Sequence, residues 1–224
     1  RAVRLLSKAW NVATARHWAT LPPNPCRGVE LHPEGRRERF LSDDEAARLD
    51  AALSASTGTL APLFRLLLLT GARLGEWRDA QWDWIEPGAL RLPDSKTGMK
   101  TIIITPEVEA VLATIPRTSR YLFPGQSGDR PTQGEKKAWR RLCAAAGISG
   151  LRIHDLRHNY ASQAVSAGLS LPQIGGLLGH RSPATTARYA HLVDDAARQA
   201  AARVAATITG GATVRDDDTR ATDR

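Results

Sequence analysis

Apolar residues recur at helical spacing through most of this chain. The first such stretch, residues 1–19, would place on one helix face Leu5, Leu6, Ala9, Trp10 and Ala13. A segment rich in proline and arginine follows, and it predicts a linker over residues 21–39. We therefore expect residues 1–20 to be the last helix of a truncated N-terminal domain. The sequence, which starts with Arg inside a helical pattern, is expected to be a fragment.

A second domain is expected over residues 40–209, and it carries clear helix start and stop signals. Ser42 and Glu45 have the spacing of a capping box at the start of a helix. A strongly apolar helix should end at Gly71, and Pro106 should lie in the first turn of another helix. Further helices are predicted over residues 134–147, 154–168, 170–179, 182–190 and 193–209.

One stretch, residues 82–106, breaks this helical pattern. Its segments are short and partly β-branched, and Pro-Gly and Lys-Thr-Gly turns separate them, which predicts a small antiparallel sheet. The expected fold class is therefore mainly α with one small antiparallel β-sheet (α+β). The polar end of the chain, residues 210–224, is expected to be a disordered tail.

Composition narrows the possible partners. Hydrophobic residues make up 42% of the 224, enough for a core, and the formal net charge of +8 favours a polyanionic partner such as nucleic acid. Cys26 and Cys143 lie far apart, so neither a disulfide framework nor a zinc site is suggested. The longest apolar run, residues 66–69, is too short to span a bilayer, and no signal peptide is evident. We expect a cytoplasmic protein with no membrane partner.

Several scattered residues could carry chemistry, and each has a structural explanation when taken alone. An arginine after a helix end caps carbonyls, a lysine on a turn is solvated, and a tyrosine in an amphipathic helix packs. His154 and His158 have the spacing of zinc peptidases, but Asp155 stands where that motif has Glu, and Arg157 would repel the metal. The residues that could still form a catalytic site together are Arg73, Lys96, His154, Arg157, His180 and Tyr189.

Taken together, these residues suit an attack on a phosphodiester without a metal. Pairs of arginines can bind the non-bridging oxygens of the phosphate, where negative charge accumulates in the transition state. Tyrosine is a weak nucleophile that needs a cationic field or a base, and a lysine can protonate the leaving oxygen. No cluster of acidic residues suggests Mg²⁺ ligation, so we expect no cofactor.

Four segments in order make the pattern specific. They are TGARLGEWRDAQWDWIE, SKTG, HDLRHNYASQAVSAGLSLPQIGGLLGH and SPATTARYAHL. Together they resemble the catalytic domain of the tyrosine recombinases, the phage integrase family, over residues 40–195. The resemblance implies the DNA breaking-rejoining catalytic fold, and it implies that residues 1–20 end a core-binding domain.

The resemblance also implies a role for each residue. Tyr189, nine residues after His180, would be the nucleophile that forms a 3′-phosphotyrosine link. Arg73, Arg157 and His180 would stabilise the phosphate. Lys96 would protonate the leaving 5′-oxygen, and His154 would be the general base or would orient the tyrosine. We interpret Glu76 as a supporting residue that holds an arginine in place.

The function expected is that of a site-specific recombinase that integrates or excises a phage or other mobile element. The resemblance implies double-stranded DNA carrying an attachment site, a homotetramer on DNA and a monomer when free. It also allows accessory DNA-bending or directionality factors and a bacterial or phage-encoded, nucleoid-associated protein. Residues 193–209 would dock on a neighbouring protomer, or fold back in cis.

Two other functions stay open. A type IB topoisomerase-like enzyme nicks and closes one strand with similar residues. A catalytically silent DNA-binding module would have lost one or more of the six reactive side chains, whereas all six positions here hold competent residues.

Overall fold

Helices dominate the computed structural model, which describes residues 2–18, 20–30, 39–95 and 98–208. The chain divides into two compact units, Arg1–Arg37 and Glu38–Arg224. The helices are α1 (Ala2–Ala15), α2 (Asp43–Ala55), α3 (Ala61–Thr70), α4 (Leu74–Arg78), α5 (Pro106–Ala113), α6 (Glu135–Ala145), α7 (Asp155–Ser166), α8 (Leu171–Leu178), α9 (Pro183–Thr186) and α10 (Ala190–Ile208). The strands are β1 (Ile85–Glu86), β2 (Ala89–Ser95) and β3 (Gly98–Ile103). Within these described ranges, no helix is both long and apolar enough to cross a membrane.

The first unit consists of α1 and the segment that follows it. Asn24 ties the two together, because its side-chain amide donates to Ser7 Oγ (3.0 Å) and Asn11 Oδ1 (2.8 Å). The helix ends before the predicted residue 19, since His17 has a φ of 52° and breaks the helical geometry. Of the predicted linker and tail, residues 31–38 and 210–224 lie outside the described residues.

The second unit begins with a confirmed capping box. The Glu45 N–H donates to Ser42 Oγ, and the Glu45 carboxylate accepts from the Ser42 N–H. α3 is apolar around most of its circumference, so it is buried in the centre of the unit. It ends, as predicted, at Gly71, whose φ of 60° lies in the left-handed region.

The predicted sheet is confirmed as three antiparallel strands in the order β1-β2-β3. Leu90 pairs with Ile102, and Leu92 pairs with Lys100. Because side chains alternate across a strand, these four share one face, and all four are buried. A lysine therefore lies on the inner face of the sheet.

Buried apolar side chains form two clusters in the second unit. The larger includes Trp77, Phe64 and Leu156. The smaller consists of Ala161, Ala164, Val165, Ile174, Leu178 and Tyr189. α7 contributes to both clusters, which places its middle where the two meet. The fold class, mainly α with a small antiparallel sheet, is as the sequence predicts.

The segment around Tyr189 differs from the prediction of one short helix over residues 182–190. It is divided into α9 and a 3₁₀ turn at Ala187–Tyr189, and α10 starts at Ala190 rather than 193. Thr186 is buried at this junction and packs against Gly175, where an added Cβ would lie 2.9 Å from Thr186 Oγ1. This close contact holds the segment against α8. Tyr189 is therefore the last residue of a tight turn.

We expect Thr70→Val to destabilise the fold by about 1–3 kcal/mol, because a buried indole N–H would lose its acceptor. Trp77 Nε1 donates to Thr70 Oγ1 at 2.9 Å, and both residues are buried. Thr70→Ser keeps the hydroxyl and should cost less. Urea unfolding of both variants checks this, and equal losses for Val and Ser would contradict it.

Candidate active site

Arg157 on α7 joins the ends of two other helices. Its Nη1 donates to the Gly71 carbonyl (2.7 Å) and its Nη2 to the Leu178 carbonyl (2.9 Å). The side chain is 4% exposed. Burial and the charge of Arg73 together lower its pKa to about 10, so the guanidinium stays charged at neutral pH. Each terminal nitrogen carries a second N–H, so these two bonds do not exhaust its donors.

Two glycines make this junction possible. Gly71 and Gly179 both end helices with positive φ, at 60° and 68°. A Cβ on Gly71 would lie 2.5 Å from the Tyr160 ring, and one on Gly179 would lie 2.5 Å from Lys100 Cε. The glycine of the Gly-His pair is therefore required by its backbone conformation, and its lack of a side chain leaves room for Lys100 beside it.

A buried carboxylate connects Arg73 to Lys100. Glu76 accepts from Arg73 Nη1 (2.9 Å), from the Arg73 backbone N–H (2.7 Å) and from Lys100 Nζ (2.7 Å). Burial acts to raise the pKa of Glu76, but the Lys100 ammonium and these donated bonds outweigh it and hold the pKa below its ordinary value. Glu76 thus lies where a supporting residue is predicted, and it orients two cations.

Among the described residues, Lys100 is the lysine that contacts this cluster, through its bond to Glu76. Lys96 lies outside the described residues. Lys100 is buried, and burial lowers the pKa of its ammonium, while Glu76 opposes that shift. Its inward position follows from the β3 alternation with Ile102 and Ile104, so the sequence contained a signal for it.

His180 follows the left-handed Gly179 and lies beside the same cations. Its Nδ1 is 2.8 Å from Thr186 Oγ1. Burial lowers its pKa to about 4, and the charges of Arg157, Arg73, Lys100 and Arg188 act in the same direction. The ring is therefore neutral at pH 7, and four cations lie within electrostatic reach of it.

Tyr189 is 3% exposed, and its ring packs in the smaller core cluster. Its hydroxyl lies 2.8 Å from His158 Nδ1. It is also within electrostatic reach of Arg157, whose pKa an ionised Tyr189 would raise. The predicted His154 is exposed, and its ring stands edge-on to His158 at a centroid distance of 5.1 Å.

His158 and Thr186 are the contacts that the sequence reasoning missed. His158 lies one helical turn after His154, a spacing that in the sequence suggests a metal site rather than a contact with a tyrosine. The contact of Thr186 with His180 could not be predicted from the sequence, because only the turn that α9 makes brings the Thr186 hydroxyl to the His180 ring.

The fold and the site together define a class of protein. A helical domain with a small hairpin sheet gathers two arginines, a lysine and a neutral histidine beside a tyrosine. Preorganised positive charge of this kind stabilises the charge that develops on a phosphoryl centre. The model of the phage integrase family matches residues 39–195, and the chain belongs to that family.

Known proteins agree with this assignment. The shufflon-specific DNA recombinase of Escherichia coli is 31% identical over 196 residues, which cover 84% of this chain and 49% of that protein. A crystal structure of the XerA recombinase is 27% identical with a TM-score of 0.63, and the match covers 76% of this chain and 66% of that one. A lambda integrase dimer bound to a core site shares the fold at 22% identity and a TM-score of 0.65, with 84% and 70% covered. The chain spans about half the length of the curated relatives it matches.

We expect Glu76→Gln to cost about 3–5 kcal/mol of unfolding free energy, the range for breaking a buried ion pair. The Glu76 and Lys100 side chains are 8% and 5% exposed, so the remaining ammonium would stay buried without its carboxylate. Glu86→Gln is the control, because its pair with Arg91 is exposed and should contribute about 0–1 kcal/mol.

The same variant should change how stability depends on pH. The folded pKa of Glu76 lies below its ordinary value of 4.5, so its contribution is fully present above 4.5 and is lost as the pH falls through the folded pKa. Between pH 7 and pH 3 the wild type should therefore lose more stability than Glu76→Gln. Denaturant unfolding at both values measures this, and parallel losses would contradict it.

Proposed function

We propose that this chain is the catalytic part of a site-specific DNA recombinase that cuts and rejoins strands through a 3′-phosphotyrosine intermediate. One observation carries the proposal: Tyr189 lies within electrostatic reach of the buried, charged Arg157, which in turn lies within electrostatic reach of Arg73 and His180. A phosphodiester carries one negative charge, and its transition state places more on the non-bridging oxygens. The cations of this site are arranged to receive that charge.

The proposed roles follow from this arrangement. Tyr189 Oη attacks phosphorus, the bond to the 5′-oxygen breaks, and the protein becomes joined to the 3′ end. Arg73, Arg157 and His180 hold the non-bridging oxygens, and Glu76 fixes the Arg73 guanidinium. Lys96 protonates the leaving 5′-oxygen, as the resemblance implies. His154 remains the residue to which the resemblance gives the role of base or orienter.

Double-stranded DNA is the proposed partner. α6 presents four exposed cations, Lys136, Lys137, Arg140 and Arg141. Such a face binds phosphates without reading their sequence. The names of the relatives, a shufflon-specific recombinase and a phage P22 integrase, favour an attachment site on a mobile element as the substrate. The same reasoning supports a cytoplasmic, nucleoid-associated location.

Two other functions remain as outcomes of the tests. A type IB topoisomerase-like enzyme would relax supercoils without exchanging partners between duplexes. A silent DNA-binding module would bind without forming a covalent link. Glu76, Arg157 and His158 each make buried hydrogen bonds that hold the side chains of the site in place. This arrangement favours a catalytic site over a module that only binds DNA.

We also propose a homotetramer on DNA, with α10 of each protomer docking on a neighbour. The first part of α10 packs on the smaller core through Leu192, Val193 and Ala196, whereas residues 201–208 are exposed. Val204 and Ile208 are 57% and 79% exposed and lie four residues apart, on one helix face. An exposed apolar stripe of this kind suits a protein partner.

We expect the chain to become covalently attached to DNA in the presence of EDTA, and Tyr189→Phe to abolish the adduct. The substrate is a nicked duplex from which the cut strand cannot be religated. Its sequence is obtained by trapping adducts from a pool of genomic fragments. A requirement for a divalent metal, or an adduct that persists in the Phe variant, would contradict the phosphotyrosine reaction.

We expect removal of residues 197–224 to prevent tetramer assembly on DNA while single protomers still bind. Sedimentation of the protein with a duplex of the trapped sequence measures the assembly. Val204→Ser with Ile208→Ser, which keeps the helix, should have the same direction of effect. Unchanged assembly in both variants would show that α10 does not dock in trans.

A further inference from the structure

We propose that His158 is a catalytic residue that holds the Tyr189 hydroxyl and accepts its proton during strand cleavage. This inference rests on the proposed function, because it assigns a step of the same reaction. His158 Nδ1 is 2.8 Å from Tyr189 Oη, within the distance that a general base requires. The hydrogen bond is buried, so water does not compete for the hydroxyl.

The protonation state of His158 fits this role. Burial lowers the pKa of its ring, and the nearby charges of Arg188, His154 and Arg157 lower it further, while Asp155 opposes them. The ring is therefore neutral at pH 7, and one nitrogen carries a lone pair. For His158 to act as the base, Tyr189 must be the donor in this pair, so that Nδ1 accepts and Nε2 carries the hydrogen.

The proton transfer balances as follows. Tyr189 Oη forms a bond to phosphorus as its proton passes to His158 Nδ1, which leaves an imidazolium. The bond between phosphorus and the 5′-oxygen breaks, and that oxygen takes a proton from the general acid of the proposed function. Religation reverses both transfers, with His158 returning the proton to Tyr189.

Geometry separates His158 from His154. His154 is more exposed to solvent than the buried His158, and its ring contacts the His158 ring edge-on, with the two rings at 86°. His158 is buried on the side of α7 that faces the smaller core, where Tyr189 packs. We assign the proton transfer to His158 and leave His154 a positioning role toward the His158 ring.

The bond could instead be a latch that must break before the tyrosine reacts. The two mechanisms predict opposite effects on the cleavage rate when His158 is lost. If His158 accepts the proton, its loss slows cleavage, whereas if His158 restrains the tyrosine, its loss speeds cleavage. His158→Asn is the informative change, because Asn Oδ1 can occupy the place of Nδ1 and hold the hydroxyl but cannot take a proton at neutral pH.

The cleavage test uses the trapped nicked duplex in two forms, one with the natural phosphodiester and one with sulfur in place of the bridging 5′-oxygen. A thiolate leaves without a proton, so this substrate rescues loss of the acid but not of the base. We expect His158→Asn to cleave both forms about 10²–10⁴-fold more slowly than the wild type. Cleavage at the wild-type rate or faster, or rescue by sulfur, would overturn the assignment.

The pH profile gives a second readout on the same proteins. Wild-type cleavage should rise as the pH passes through the pKa of His158, below its ordinary 6.5, and then level off. His158→Asn should lack this step. A low-pH step that survives in His158→Asn but vanishes in His154→Asn would identify His154 as the proton acceptor and overturn the proposal.

A measurement without DNA separates this inference from the proposed function. Nitrogen NMR of the labelled full chain should show His158 with hydrogen on Nε2, and its Nδ1 resonance should shift in Tyr189→Phe. A protonated Nδ1, or no change in the Phe variant, would overturn the hydrogen bond itself. If the resonance behaves as expected but the wild type forms no adduct, the recombinase function fails and the contact stands.

Discussion

The buried guanidinium of Arg157 is the interaction on which the rest of the site depends. It is bound to the carbonyls that end α3 and α8, so three helices meet at one charge. Those carbonyls are accessible only because Gly71 and Gly179 turn the chain away with positive φ. The negative ends of two helix dipoles stabilise a cation that burial alone would disfavour. Packing and chemistry are therefore fixed by the same contacts.

This charge also adds to the effect of burial on the protonation of its neighbours. Arg157 contributes to lowering the pKa of His158 and of His180, and both rings are neutral as a result of burial and nearby cations. Glu76 offsets part of the positive charge by binding Arg73 and Lys100. Among the described residues, the positive charges of Arg73, Arg157 and Lys100 outnumber the carboxylate of Glu76, and this excess suits an anionic phosphodiester. A neutral histidine in such a field can donate a hydrogen bond without adding to the charge, or it can accept a proton and become an imidazolium.

Local sequence rules account for much of the fold and only part of the site. Capping at Ser42, termination at Gly71 and the hairpin sheet depend on short-range signals, and they were predictable. The residues around the phosphate site were found from their joint pattern, since each was unremarkable alone. The hydrogen bond between His158 and Tyr189 joins residues 31 apart, and it depends on how α7 packs against the turn after α9. No periodicity along the chain encodes that packing.

The position of Tyr189 inside the smaller core has a consequence for control. The same cluster packs against Leu192, Val193 and Ala196 at the start of α10. Because cores are close-packed and transmit displacement, a tyrosine that shares a core with a helix should shift when that helix is displaced. The distal half of α10 is exposed and carries Val204 and Ile208. If the distal half of α10 docks on a neighbouring protomer as proposed, that docking would act on the packing of Tyr189 through these few apolar side chains.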